Sequence, residues 1–166
     1  MGASGSGKTS ALEKIEREVP KQYMVCHFDS LGVPSETEVK EKWGGWDTWQ
    51  KMRIDEWMQI IVKTLEIQTT IFDCQMRPED IEEACKKNGI KDYSVILLDC
   101  SDEERASRLR KRNQPHLITP ELPKWAKFLR DECAKRGYTT IDNTLLSEEE
   151  AAKALKDTLY RLSSPT

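Results

Sequence analysis

The residues with the clearest chemistry are Gly2-Ala3-Ser4-Gly5-Ser6-Gly7-Lys8-Thr9, which fit the pattern G-x-x-x-x-G-K-[ST]. Glycines without a Cβ let a backbone close tightly around an anion. Successive N–H groups then face a phosphate, and a helix opening near Lys8 turns its positive end on the same group. Gly2, Ser4, Gly5, Ser6, Gly7, Lys8, Thr9 and Ser10 are the expected nucleotide-binding segment. Lys8 would reach the β- and γ-oxygens and the Thr9 hydroxyl would bind Mg²⁺. A chance Gly/Ser turn is a poor rival for eight fixed positions followed by a helical pattern.

A second candidate is Asp29, at the end of the apolar run Gln22 to Asp29 and before the loop that Gly32 and Pro34 mark. Ligands of open α/β sheets bind beyond the carboxyl ends of the strands, where such a carboxylate could serve as a base. It could instead cap the turn at Ser30. Thr69 to Gln75 and Tyr93 to Asp99 read as further buried strands, and Tyr138 to Asp142 as a short one. The helix after Ser101 carries Arg105, Arg108 and Arg112, three and four residues apart and so on one face.

The elements that must position these residues alternate. Helix Lys8–Glu18 ends before Pro20, and capping-box pairs Ser35/Glu38, Ser101/Glu104 and Ser147/Glu150 open three others. Pro78 opens a helix that Gly89 closes, and a helix from about Thr119 to Arg136 is closed by Gly137. Strands alternating with helices imply a parallel sheet covered on both faces. Residues 35–68 break this rhythm as a helical insert, split at Gly44-Gly45 and holding four of the five tryptophans. Trp57, mid-helix among aliphatics, reads as core, whereas Trp43, Trp46 and Trp49 read equally as a packed lid or an acceptor pocket. A short lid is expected at 112–119, and a frayed end at 163–166. A phosphate-binding loop normally follows a buried strand, but here the sequence starts at Met1. The expectation is a chain start that is truncated, or a sheet without its first central strand.

A length of 166 residues suits one domain, with or without an inserted lobe. The net charge of −3 argues against a nucleic-acid partner, and no apolar run approaches the roughly 20 residues of a membrane span. Five cysteines without C-x-x-C pairing suggest a reducing cytoplasm, and Cys26, Cys74 and Cys100, in apolar strand-like runs, read as small buried hydrophobes. Two separated histidines, His27 and His116, argue against zinc.

The order Asp73-x-x-x-Arg77, a helix to Asn88-Gly89-Ile90, the strand to Asp99, Ser101-Asp102-Glu103-Glu104 and Arg108-x-x-x-Arg112 resembles the core of adenylate kinase. It is also similar to small P-loop kinases of the shikimate, gluconate and antibiotic-phosphotransferase type. Phe28 to Ser35, F-D-S-x-G-V-P-S, resembles uncharacterised bacterial P-loop kinase-like ATPases. The resemblance implies a three-layer P-loop NTPase fold over residues 1–166, with ATP and Mg²⁺ as cofactors. It implies that Asp73 organises Mg²⁺ through water, that Arg77 binds the acceptor or transferred phosphoryl, and that Arg108 and Arg112 clamp ATP. It matches Asp29 to a strand-end base or metal partner. Cys74-Gln75-Met76 departs from the usual glycine and proline before the arginine, and the 112–119 link is too short for a large lid. The expectation is γ-phosphoryl transfer from Mg·ATP to a small-molecule hydroxyl or a nucleotide. The catalytic set is Lys8, Asp29, Arg77, Arg108 and Arg112. The rivals are a regulatory ATPase without an acceptor and a nucleic-acid end kinase.

Overall fold

A computed structural model describes residues 1–163; the end expected to fray lies, from 164 on, outside the described residues. In chain order the elements are α1 (Lys8–Glu18), β1 (Tyr23–His27), α2 (Glu36–Trp43), α3 (Trp46–Leu65), β2 (Thr69–Asp73), α4 (Pro78–Lys87), β3 (Ile96–Asp99), α5 (Asp102–Lys111), α6 (Glu121–Lys135), β4 (Thr139–Asp142) and α7 (Glu148–Ser163). Short 3₁₀ turns occupy Phe28–Leu31 and Pro115–Leu117. The chain forms two compact units, Met1–Pro20 with Ser94–Thr166, and Lys21–Tyr93.

In the first unit β3 and β4 pair in parallel, Ile96 opposite Thr139 through Asp99 opposite Asp142. Met1 adds one further rung. Its terminal ammonium donates to Ile96 O at 2.8 Å, and its carbonyl accepts from Leu98 N at 2.9 Å. This is the alternation of a parallel ladder centred on Leu97. The core beneath joins Ala3, Leu97, Ala126, Leu129 and Cys133, with Met1, Trp125 and Tyr138 packed against it. Ala3 ties the loop to that core. The second unit pairs β1 and β2 in parallel, Tyr23 opposite Thr69 through His27 opposite Asp73. Its core is aromatic: Phe28 meets Trp49 edge-on at 5.6 Å between ring centroids, and Phe72 lies 5.7 Å from Trp57. Trp57 donates from its indole N–H to Phe28 O at 3.0 Å. The parallel pairing thus holds, but as two strand pairs among the described residues.

Strands are shorter than their apolar runs. The run from Tyr93 forms strand only from Ile96, whose partner is Thr139. Residues before Thr139 are spent on closing α6, where Tyr138 N donates to Cys133 O at 3.0 Å. All three expected serine caps form. Only at Ser147 is the exchange reciprocal, with Glu150 Oε2 accepting from Ser147 N at 2.9 Å. Glu38 and Glu104 instead meet Lys42 and Arg108 four residues on. Helix α6 starts at Glu121 rather than Thr119 and carries Pro123 within its first turn, where its missing N–H costs no bond.

Candidate phosphate-binding loop and strand-end residues

The loop is built on α1. Gly7 caps the helix in the left-handed region, at φ 90°, and no side chain caps the first turn. Gly5 has φ 78°, and a Cβ there would lie 2.9 Å from the carbonyl oxygen of Arg105, a backbone atom that cannot swing away. Ser6 N donates to Ala3 O at 3.2 Å, closing a turn. Lys8 folds over the loop: its Nζ donates to Gly2 O at 2.7 Å and to Ala3 O at 3.3 Å. A cation is therefore held at the loop beside a helix N-terminus that no side chain caps, two features that phosphate binding uses. Ser6 Oγ is buried without a hydrogen-bond partner. Thr9 is exposed on the first turn of α1. The Ser10 hydroxyl is in contact with the Arg112 guanidinium.

The arginines of α5 share a face, as their spacing requires, but that face is turned largely inward. Arg105 is 1 % exposed and donates to Asp99 Oδ1 at 2.6 Å and Cys100 O at 2.8 Å. Arg130 takes the other oxygen, Asp99 Oδ2, at 2.8 Å. The Asp99 carboxylate beside it holds the Arg130 guanidinium in its charged form more firmly than usual. A carboxylate this deep needs both cations, because an unpaired buried charge costs several kcal/mol. Arg108 engages all three side-chain nitrogens: Nε with Glu104 at 2.8 Å, Nη1 with Asn143 Oδ1 at 3.0 Å, and Nη2 with Asn143 O at 2.9 Å. Nη1 also approaches Ser6 O at 3.4 Å. Of the expected clamp, Arg108 acts here on the loop itself, and Arg112 lies at the exposed end of α5 against Ser10.

In the second unit the strand-end residue of β1 is His27, because Asp29 falls in the following 3₁₀ turn. Asp29 is exposed, and its carbonyl accepts from Gly32 N at 2.9 Å. The register places His27 beside Asp73 at the carboxyl ends of the two strands, with His27 Nδ1 3.2 Å from Asp73 Oδ2. Asp73 is 9 % exposed, and its Oδ1 is buried without a hydrogen bond. Arg77 is exposed and lies 3.7 Å from Glu79. Trp49 is buried with its indole nitrogen unpaired, Arg53 lies 5.7 Å over its ring, and Trp46 stays part-exposed. Trp49 is therefore packed rather than lining an open pocket, and Trp57 is core as its sequence position suggested.

Three features escape a reading of the sequence: Asn143, the Asp99–Arg105–Arg130 cluster, and the His27–Asp73 pair. The last depends on strand register, and a search for histidine pairs passes over it. All five cysteines are free and buried, and burial pushes the Cys26, Cys85, Cys100 and Cys133 thiols up. Among the described residues no group of three or more His, Cys, Asp or Glu could hold a metal. No helix among them is long and apolar enough to cross a membrane.

No family model and no curated protein matches this sequence. Solved structures do match. A deoxyadenosine kinase from M. mycoides, with dCMP and dCDP bound, superposes at a TM-score of 0.65 with 13 % identity over 97 % of each chain. Shikimate kinase from Acinetobacter baumannii, in complex with shikimate, gives 0.62 and 14 % over 99 % of this chain and 92 % of that one. This chain has the fold of the P-loop small-molecule and nucleotide kinases. A gluconokinase from Sinorhizobium meliloti gives 0.54 and 21 % over 99 % and 95 %. The likeness spans nearly the whole length of each protein, and it is one of fold.

Proposed function

We propose that this protein is a phosphotransferase that moves the γ-phosphoryl group of Mg·ATP to a small-molecule hydroxyl or a nucleotide. The observation that carries the reading is the loop: Lys8 held over the Gly2 and Ala3 carbonyls at the uncapped start of α1. The kinase fold of the matching structures supports it.

The residues present fit the two cofactors. The loop offers donors and a cation to a polyphosphate, and Thr9 is exposed on the first turn of α1. Asp73 has a buried carboxylate oxygen with no hydrogen bond. Mg²⁺ usually rests on one or two carboxylates plus substrate phosphates, so a dedicated ligand cage is not needed. When bound, Mg·ATP supplies the transferable group and a charge that offsets the phosphate oxygens. Gly2, Ser4, Gly5, Ser6, Gly7, Lys8, Thr9 and Ser10 would hold the phosphate chain, and Thr9 and Asp73 the metal. Arg77 and Arg112 would draw off charge that develops in transfer, and Arg108 would act through the loop. Asp29, an exposed carboxylate, would accept the proton of an acceptor hydroxyl. In this reading residues 35–68 form the substrate-side insert and 112–119 a short lid within one kinase-like domain, working in the cytoplasm.

Thermal unfolding with and without Mg·ATP tests the nucleotide half. A ligand at 100 times its Kd stabilises by about 2.7 kcal/mol, so the wild-type midpoint rises and Lys8→Ala abolishes the rise. No rise in the wild type overturns the reading. An acceptor screen then tests transfer. The inward face of Arg105 and Arg108 favours one rival, a regulatory ATPase without acceptor. Hydrolysis that no acceptor library stimulates would establish it.

A further inference from the structure

Asn143 is the first residue after β4 and is 1 % exposed. Its backbone N–H donates to Asp99 O at 2.9 Å, which fixes it to the end of β3. Its side chain then spans a gap in one defined sense. Oδ1 accepts from Arg108 Nη1 at 3.0 Å, and Nδ2 donates to Ser6 O at 2.9 Å. Arginine can only donate, so the amide cannot be reversed without two clashing donors. Arg108 reinforces the same carbonyl from 3.4 Å and is itself held by Glu104.

The Ser6 carbonyl and the Gly7 N–H belong to one peptide group. No peptide in the described chain is cis, and in a planar trans peptide C=O and N–H point to opposite sides. Holding Ser6 O on the Asn143 side therefore turns the Gly7 N–H the other way, away from the Asn143 and Arg108 groups that hold the carbonyl. Among the described residues no group accepts from that N–H. The latch also packs against Gly7: a Cβ there would lie 3.2 Å from Asn143 Nδ2 and 3.3 Å from Arg108 Nη1.

We propose that Asn143 is a positioning residue that aims the Gly7 N–H at a bound phosphate, with Arg108 as its support. The proposal rests on the loop being a phosphate site. It is tested on the full chain with inorganic tripolyphosphate and Mg·ATP as probes. Affinity is measured by calorimetry, and the Gly7 amide is followed by ¹H–¹⁵N NMR. In the wild type either probe shifts the Gly7 amide. Asn143→Ala weakens both probes about tenfold, the scale of one lost charge-assisted hydrogen bond, and the Gly7 shift collapses. Asn143→Asp keeps the shape and the Arg108 contact but loses the donor, and covers the case in which the alanine variant fails to fold. Its added charge alone would lower affinity yet leave the Gly7 shift intact; only misaiming removes both. A folded variant that binds like the wild type, with the Gly7 shift retained, overturns the positioning role alone. A wild-type chain that binds neither probe overturns the phosphate reading and the proposal with it.

Discussion

The two units hold their centres together by different physics. In the first, a buried carboxylate, Asp99, sits between Arg105 and Arg130, and an arginine–asparagine latch reaches from α5 and β4 to the loop. In the second, the centre is a run of aromatic rings, and polar groups stand at the strand ends as His27–Asp73 and in the following 3₁₀ turn as Asp29. An ionic centre tolerates few changes, because removing one partner strands the other charge. An aromatic centre loses mainly contact area. The unit that carries the glycine-rich loop at residues 2–9 is thus the one whose geometry is most tightly specified. That suits the role proposed for the loop, which is to hold N–H groups in place.

The largest separation expected between the units is functional. Lys8→Ala in the first removes nucleotide binding, whereas Asp29→Asn in the second lowers turnover about 100-fold or more with nucleotide affinity retained. Calorimetry beside steady-state rates reads both, and unchanged turnover in Asp29→Asn would remove it from the base role. Next comes stability. Arg105→Ala leaves Asp99 with one cation instead of two and should cost about 3–5 kcal/mol in urea unfolding. Trp57→Phe loses the bond to Phe28 O and keeps most of the ring, for about 1 kcal/mol. Equal costs would erase the contrast drawn between the two centres.

Smaller effects refine it at the helix starts. Ser147→Ala breaks a reciprocal box and should cost about 1 kcal/mol, and Ser35→Ala, with a one-way cap, should cost less. The smallest is an acid response. The Thr144 hydroxyl and N–H hold the Asp142 carboxyl below its ordinary value of 3.8. A group lowered in this way adds stability above its unfolded pKa and loses it as pH falls through the folded one. Melting midpoints of the wild type should fall between pH 5 and pH 2 more steeply than those of Asp142→Asn, by about 1 °C or less for so exposed a group. Thr144 also accepts from Ser101 N at 2.8 Å, so this exposed carboxylate supports the start of α5.

Local chemistry was open to reading because it depends on neighbours in sequence. Gly7 and Lys8 announce a glycine turn opening into α1, Ser35, Ser101 and Ser147 announce helix starts, and Pro20, Gly89 and Gly137 announce helix ends. Strand lengths were less legible. Tyr93 to Asp99 is apolar throughout, but pairing begins only where Thr139 becomes available opposite Ile96. Arg105, Arg108 and Arg112 illustrate the limit most sharply. Their spacing correctly places them on one face, yet spacing is silent on whether that face meets water, substrate or the protein's own loop.

The sequence by itself determined the glycine turn before α1, the alternation of helices and parallel strands, and the buried state of Cys26, Cys74 and Cys100. Each follows from propensity, capping or periodicity over a few residues. Only the tertiary structure decided that Asn143 meets Ser6, that Asp99 is shared by Arg105 and Arg130, and that His27 stands beside Asp73. These pairs are separated by up to 137 residues. They form because parallel register and helix packing set which strand ends and side chains meet, and no local pattern encodes that choice.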